Sequence, residues 1–159
     1  MNKGDLIRRI TAHLSDVLAA GTKAVRATSD AATDPDSKAE NKYDTRNLEA
    51  SYLARGQAFR VAETMEALRE FESMTARTFA PGQAIGEGAL VSLRGADGTF
   101  HYFIGPAAGG TEVDVDGIEV MVITPSSPLG AMLMRRKTGD KCELHPGRPA
   151  SAVVIESVA

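Results

Sequence analysis

Four carboxylates in the first half of the chain are the residues most suited to chemistry. They are Asp30, Asp34, Asp36 and Glu40, with Lys38 as the only opposing charge among them. Magnesium is bound by one or two carboxylates together with water and substrate oxygens, so such a group at an exposed tip could share a cation inside another molecule. The alternative is structural, because aspartates favour turns and carboxylates favour helix N-termini. The residue types leave both interpretations open.

Histidine and cysteine residues do not form a second candidate site. Cys142 and His145 have a spacing that occurs in metal sites, but zinc needs three or four ligands and the sequence has no second pair. No Ser-His-Asp arrangement, glycine-rich phosphate loop or zinc-protease motif is present. The sequence therefore predicts no self-contained active site and no cofactor bound by this chain alone.

The composition excludes several classes of protein. The chain has 159 residues and a formal net charge of −3, so a strongly basic surface that binds nucleic acid regardless of sequence is not expected. Its single cysteine excludes an internal disulfide and suits a reducing compartment. No apolar run approaches the roughly 20 residues of a membrane helix, and the N-terminus has no apolar signal-peptide centre. We expect a soluble, cytoplasmic protein with no membrane partner.

The elements that must position the carboxylates are two long helices. Apolar residues spaced by three and four predict helices over residues 5–29 and 38–75, separated by a turn at 29–37 that contains Asp34-Pro35. The simplest arrangement is an antiparallel hairpin with an acidic tip; the alternative is an ordinary helical bundle. The predicted stripe of the second helix consists of Tyr43, Leu48, Tyr52, Phe59, Ala62, either Met65 or Glu66, and Leu68.

The second half of the chain has short apolar runs separated by glycine-rich turns. Such runs predict five strands and one short helix, which together form an α+β domain with a helix across an antiparallel sheet. We therefore predict two domains, a helical hairpin over 1–77 and a sheet domain over 78–159. The predicted strands are 89–93, 99–104, 118–123, 142–144 and 151–158.

The short helix of the second half has clear start and stop signals. Ser127 is an N-cap residue and Pro128 suits the first helical position, where its missing N–H is not needed. Gly139 is the predicted left-handed cap, and the three cations Arg135, Arg136 and Lys137 are predicted in the last turn, where the helix dipole is negative. Dipole complementation explains one or two cations, whereas a docking function would explain all three.

The stretch "ITPSSPLGAMLMRRKTGDKCEL" resembles the C-terminal signature of the Gre transcription elongation factors. In that family a strand leads into Ser-Pro-Ile/Leu-Gly, a short helix with a basic end, and Gly-Asp before the next strand. The resemblance implies an FKBP-like domain that docks on the acidic rim of the secondary channel of bacterial RNA polymerase. The matching or adjacent residues, which are the implied docking residues, are Ser127, Pro128, Leu129, Gly130, Arg135, Arg136 and Lys137.

The first half resembles the Gre coiled coil less closely. In the family, acidic tip residues enter the channel and help the polymerase hold its second magnesium, so that a backtracked transcript is cut. By resemblance, Asp36 and Glu40 are the candidate catalytic and metal-sharing pair, with Asp34 in reserve. The motif departs from the family at Ala39 and Lys42, which stand where the family has glutamates.

The resemblance implies a regulator that binds bacterial RNA polymerase, uses the magnesium of the polymerase and is not an enzyme alone. Contact with nascent RNA or DNA would come through the polymerase, and we expect a monomer. Three alternatives remain. The first is a channel-binding inhibitor or competitor of Gre factors that does not stimulate cleavage. The second is a prolyl isomerase, which would need an aromatic-lined pocket, and the third is a dimerisation hairpin unrelated to polymerase.

Overall fold

The computed structural model describes the backbone of residues 1–33, 45–144 and 152–159, and the side chains of residues 1–29, 51–144 and 152–159. The elements in chain order are α1 (Lys3–Thr33), α2 (Thr45–Ser73), β1 (Leu90–Gly95), β2 (Gly98–Ile104), β3 (Glu112–Val115), β4 (Ile118–Ile123), α3 (Pro128–Leu133), β5 (Lys141–Glu143) and β6 (Ala152–Val158). Two long helices followed by a sheet with one short helix confirm the predicted α+β class.

The described residues form two compact units. One unit holds Met1–Thr11 together with Arg69–Ala159, and the other holds Ala12–Leu68. Both long helices contribute to both units, because the start of α1 and the end of α2 belong with the sheet. These units are defined by contacts and do not test the division into domains at 1–77 and 78–159, which stays a prediction.

The six strands form one sheet in the order β3-β4-β2-β1-β6-β5. The β2–β4 pair is parallel and begins at His101 and Val120, whereas the other four pairs are antiparallel. The prediction of an antiparallel sheet is therefore wrong at one pair. The reason is β3, an edge strand that was not predicted from the sequence. Because β3 runs antiparallel to β4 and reverses the chain direction between β2 and β4, β4 runs parallel to β2. Asp116 and Gly117, with φ of 57° and 79°, form the β3–β4 turn and are an Asp-Gly hairpin signal visible in the sequence.

Buried apolar residues lie on both faces of the sheet, because side chains alternate along each strand. On one face Phe103 packs against Phe71 of α2, with ring centroids 6.4 Å apart. Gly105 permits this approach, since a β-carbon there would lie 2.8 Å from Phe71 Cζ and 2.9 Å from Val122 Cγ1. The other face carries Phe79, Ile85, Ala89, Val91, Leu93, Ile104, Ile123, Leu133, Cys142, Val153 and Ile155.

The start of α1 is attached to the sheet unit by Lys3. Its ammonium donates hydrogen bonds to the carbonyl oxygens of Arg77 and Gly88, the latter at 3.2 Å, and lies 4.8 Å from the centroid of the Phe79 ring. Burial, with a smaller contribution from the charge of Arg77, lowers the pKa of Lys3. The two carbonyl oxygens and the aromatic face stabilise the cation in this partly desolvated place.

The α1 and α2 helices pack against each other in an antiparallel direction within residues 12–68. Thr28 Oγ1 lies 3.1 Å from Gln57 Oε1, and a β-carbon on Gly21 would lie 2.9 Å from Val61 Cγ2. Later positions on one helix thus meet earlier positions on the other, as the predicted hairpin requires. Neither helix contains a stretch apolar enough to span a membrane within the described residues.

The face that α2 turns inward differs from the predicted stripe. Tyr52, Phe59 and Met65 are 66%, 64% and 39% exposed, while Tyr43 and Leu48 lie outside the residues whose side chains are described. The prediction was wrong because apolar residues on α2 do not follow a helical period, so their spacing could not identify the packed side. The less exposed residues of α2 recur at spacings of three and four, and they include Leu68 of the predicted stripe. They combine small, polar and large apolar side chains: Ala54, Gln57, Val61, Thr64, Ala67, Leu68 and Phe71.

Candidate functional site

The acidic tip lies outside the described residues. This holds for Asp34, Asp36 and Glu40, so their roles as a catalytic or metal-sharing group stay a prediction. The two helices that flank the tip in the sequence are described: α1 is Lys3–Thr33 and α2 is Thr45–Ser73. The predicted turn therefore starts too early, because its first residues, 29–33, extend α1 by more than one helical turn.

The second predicted part of the site is the α3 segment, which we define as residues 124–141. Its helix begins as predicted. Ser127 is the N-cap, and its Oγ accepts a hydrogen bond from the amide of Gly130 at 3.1 Å while donating one to the carbonyl oxygen of Thr124 at 2.8 Å. Pro128 occupies the first helical position. One hydroxyl therefore joins the end of the preceding loop to the first turn of the helix.

Gly130 is required by a close approach of two pieces of backbone. It is buried, and a β-carbon on it would overlap the carbonyl oxygen of Thr124 and lie 2.8 Å from the carbonyl carbon. Leu129 is partly buried and packs against the core cluster under the helix. These two residues, which the sequence analysis assigned to docking, thus have structural roles that fix the shape of the segment.

The end of α3 differs from the prediction. The helix ends at Leu133, and its last turn contains no basic residue. Arg135 takes the left-handed conformation, with φ of 68°, four residues before Gly139 does so with φ of 93°. The reason is a pairing with a distant loop: the amide of Arg135 donates to the carbonyl oxygen of Ile85 at 3.0 Å, and the amide of Ile85 donates to the carbonyl oxygen of Arg136 at 2.8 Å. This pairing takes the backbone out of the helix.

The three cations of the segment have different surroundings. Arg136 is half-buried, and its guanidinium donates from Nε to the carbonyl oxygen of Met132 at 2.8 Å and from Nη1 to that of Lys141 at 3.1 Å. Arg135 and Lys137 are exposed. All three follow the helix, but dipole complementation still explains Arg136, whose guanidinium donates to the carbonyl oxygen of Met132 in the last turn. Arg136 joins the segment to β5, whereas the other two cations face solvent.

The groups with metal-binding or nucleophilic chemistry are separate from one another. Within the described residues no three His, Cys, Asp or Glu side chains lie close enough to hold a metal. Cys142 is buried, and burial raises the pKa of its thiol, opposed by Arg136 and aided by Asp140. His145, the second member of the predicted pair, lies outside the described residues. His101 Nδ1 lies 3.0 Å from Ser92 Oγ on the neighbouring strand.

A shallow cavity of about 490 Å³ opens at the start of β2 and β4, and the sequence analysis did not predict it. Phe100 and Tyr102 line this cavity, while the buried rings of Phe79 and Phe103 lie elsewhere. The isomerase alternative needs an aromatic-lined pocket, and only two of the four aromatic residues in this half of the chain line the cavity. The cavity is lined by Thr99, Phe100, His101, Tyr102, Glu112, Gly117, Ile118, Glu119 and Met121.

The chain matches no protein-family model and no curated protein sequence. Among solved structures it is similar to the transcription factor Gfh1, with 18% identity, 93% of this chain and 92% of that chain covered, and a TM-score of 0.40. It is also similar to GreA factor homolog 1 of Thermus thermophilus, with 17% identity, 94% of each chain covered and a TM-score of 0.37. A GreA/GreB elongation factor from Nitrosomonas europaea has 19% identity, with 74% of this chain and 95% of that chain covered and a TM-score of 0.36.

Proposed function

We propose that this chain is a transcription elongation regulator that binds bacterial RNA polymerase and inserts the tip of its α1–α2 hairpin into the secondary channel. The observation that carries the proposal is the α3 segment. The residues of the Gre-like signature act together there: Ser127 caps the helix, Pro128 starts it and Gly130 permits the close approach of Thr124. A segment shaped in this way would present its two exposed cations, Arg135 and Lys137, for docking.

The proposed chemistry belongs to the polymerase, and this chain would supply carboxylates to it. Asp36 and Glu40 are four residues apart and would share one face of any helix that includes both of them. In the channel they would help to hold the second magnesium and the attacking water, with Asp34 as a reserve ligand. The chain would therefore be no enzyme alone, and it would act in the cytoplasm as a monomer.

A second candidate function keeps the docking and omits the cleavage. Ala39 and Lys42 stand at positions where the Gre family has glutamates, so the tip carries fewer carboxylates and one added cation. A lysine near the second magnesium would repel that ion. This departure favours a channel-binding inhibitor, or a competitor of Gre factors, that does not stimulate cleavage.

The experiment is transcript cleavage in stalled, backtracked complexes of a bacterial RNA polymerase, with binding measured separately by fluorescence anisotropy. The test variant is Asp36→Asn with Glu40→Gln, which removes the charges and keeps the side-chain size. The matched control is Asp16→Asn, an exposed carboxylate on α1 far from the tip in sequence. Faster cleavage with the wild type and the control, but not with the double variant, is the expected result.

The other outcomes separate the candidates. If the wild type binds the polymerase but leaves cleavage unchanged or slows it, the inhibitor is the correct function and the catalytic assignment is wrong. If the wild type does not bind the polymerase at micromolar concentrations, the whole proposal is overturned.

A further inference from the structure

We propose that Arg135 is held in a strained backbone conformation so that its guanidinium contacts a carboxylate on the docking partner. This inference rests on the proposed function, because the partner surface would belong to the polymerase. It goes beyond the sequence signature by separating the cations of the α3 segment into one with a structural task, Arg136, and one reserved for the partner, Arg135.

The backbone conformation of Arg135 is the first observation. Its φ of 68° lies in the left-handed region, where a β-carbon is unfavourable and where glycine is the usual residue. Ala108 and Asp116 are the other described non-glycine residues with positive φ, and aspartate tolerates this region better than arginine. Arg135 is thus the one long side chain that the described chain places in this conformation.

The hydrogen bonds around Arg135 maintain this conformation. Its amide donates to the carbonyl oxygen of Ile85 at 3.0 Å, and the carbonyl oxygen of Arg136 accepts from the amide of Ile85 at 2.8 Å. The guanidinium of Arg136 then binds the carbonyl oxygens of Met132 and Lys141 on either side. A strained backbone persists only where the surrounding contacts fix it. Here the hydrogen bonds to Ile85, Met132 and Lys141 fix the backbone on both sides of Arg135.

The fold makes no visible use of the Arg135 side chain. It is exposed, and no hydrogen bond or ion pair joins it to another of the described residues. A glycine would form the same backbone pairing with Ile85 at lower cost. An arginine that costs stability and contributes no contact within the described fold is best explained by a contact with another molecule.

The charges nearby favour an acidic patch on a protein as that partner. Arg135, Lys137 and Lys141 are exposed within seven residues of one another in sequence, and Asp140 among them accepts a hydrogen bond from the backbone amide of Lys137 at 2.8 Å. By contrast, residues 95–134 contain no lysine or arginine and five carboxylates. The formal net charge of −3 disfavours a long polyanion such as nucleic acid, whereas a compact acidic patch fits the small group of cations. A guanidinium also binds a carboxylate through two parallel hydrogen bonds, which fixes orientation.

The test compares Arg135→Gly with Arg135→Lys and with the control Arg9→Gln, an exposed cation on α1. Thermal unfolding and association with bacterial RNA polymerase are measured for each, the latter over a series of salt concentrations. We expect Arg135→Gly to raise Tm by about 2 °C. It should also weaken binding about fivefold, mainly because association becomes slower, and the association rate should depend less on salt concentration. Arg135→Lys is expected to keep the wild-type Tm and lose part of the affinity, and Arg9→Gln to bind as the wild type does.

Two results would overturn the inference alone. One is wild-type binding of polymerase together with equally tight binding by Arg135→Gly. The other is weaker binding by Arg135→Gly that appears only when nucleic acid is present in the polymerase complex, because the guanidinium would then contact a phosphate group. Failure of the wild type to bind polymerase under all salt conditions would instead overturn the proposed function, and the inference with it.

Discussion

The carbonyl oxygen of Thr124 occupies the place where a β-carbon on Gly130 would stand. The same oxygen accepts hydrogen bonds from the amide of Ser127 at 3.0 Å and from its hydroxyl at 2.8 Å. The loop before α3 is therefore folded against the first turn of the helix with no space between the two backbones. A relationship between residues six positions apart thus explains why this position of the signature is a glycine.

Gly130→Ala is expected to lower the free energy of unfolding by about 2 kcal/mol or more, because backbone atoms must move to admit the methyl group. The measurement is urea unfolding followed by circular dichroism. Gly56→Ala is the matched control: it lies within α2 and a β-carbon there would meet no atom within 4 Å. The control should raise stability by about 0.5–1 kcal/mol, and equal effects of the two variants would contradict the proposed close approach.

Arg136→Gln is expected to lower the free energy of unfolding by about 1–2 kcal/mol, since the side chain loses charge-assisted hydrogen bonds to two carbonyl oxygens. Those acceptors belong to Met132 and Lys141. The matched control is Lys137→Gln at the exposed neighbouring position, which should change stability by less than about 0.5 kcal/mol. Chemical denaturation of both variants tests the prediction, which would be wrong if the two variants unfolded alike.

Cys142 is expected to make the protein less stable at alkaline pH. Burial raises the pKa of its thiol above the ordinary value of 9.0, so the folded state keeps the proton that the unfolded state releases. Its contribution to stability is therefore complete below pH 9.0 and is lost as pH rises through the folded pKa. Lys3 acts in the opposite direction, because its lowered pKa makes stability rise with pH below its ordinary value of 10.5.

The measurement for Cys142 is urea unfolding at several values between about pH 8 and pH 10, with a reductant present. Comparing the wild type with Cys142→Ala removes the effect of Lys3, which both proteins share. The decline of the unfolding free energy with pH should be smaller in the variant. Parallel pH curves would show that the thiol does not titrate in this way.

The exposed aromatic side chains of α2 give a test of both partner and oligomeric state. Tyr52 and Phe59 lie seven residues apart, on one side of the helix, and are 66% and 64% exposed. Tyr52→Ser with Phe59→Ser should change the free energy of unfolding by less than about 0.5 kcal/mol, because little area is uncovered. If the hairpin enters the polymerase channel, binding should weaken about tenfold through loss of the two aromatic contacts.

Analytical ultracentrifugation decides between this channel contact and the dimerisation alternative. We expect the wild type to sediment as a monomer. A wild type that self-associates, together with a double variant that does not, would assign Tyr52 and Phe59 to an interface between two copies. The expectation of a monomer would then be wrong, because a second copy would cover these two exposed rings.

Short-range signals in the sequence predicted most of the elements. Ser127 and Pro128 mark the start of α3 because capping and the fixed φ of proline act within one turn of helix. The five predicted strands were all found, since alternating apolar residues indicate a half-buried strand wherever it pairs. The missed strand, β3, also had a local signal in Asp116-Gly117, which is typical of a tight hairpin.

The tertiary structure alone decided which residues meet. The inward face of α2 is chosen by its fit to α1, where Gly21 permits the close approach of Val61 and Thr28 lies beside Gln57. The end of α3 is decided by Ile85, about fifty residues earlier, whose pairing with Arg135 and Arg136 replaces further helical hydrogen bonds. Local sequence determines whether a segment becomes helix or strand because those hydrogen bonds are local. Contacts between distant segments depend on which packing buries the most apolar area, and no single segment contains that information.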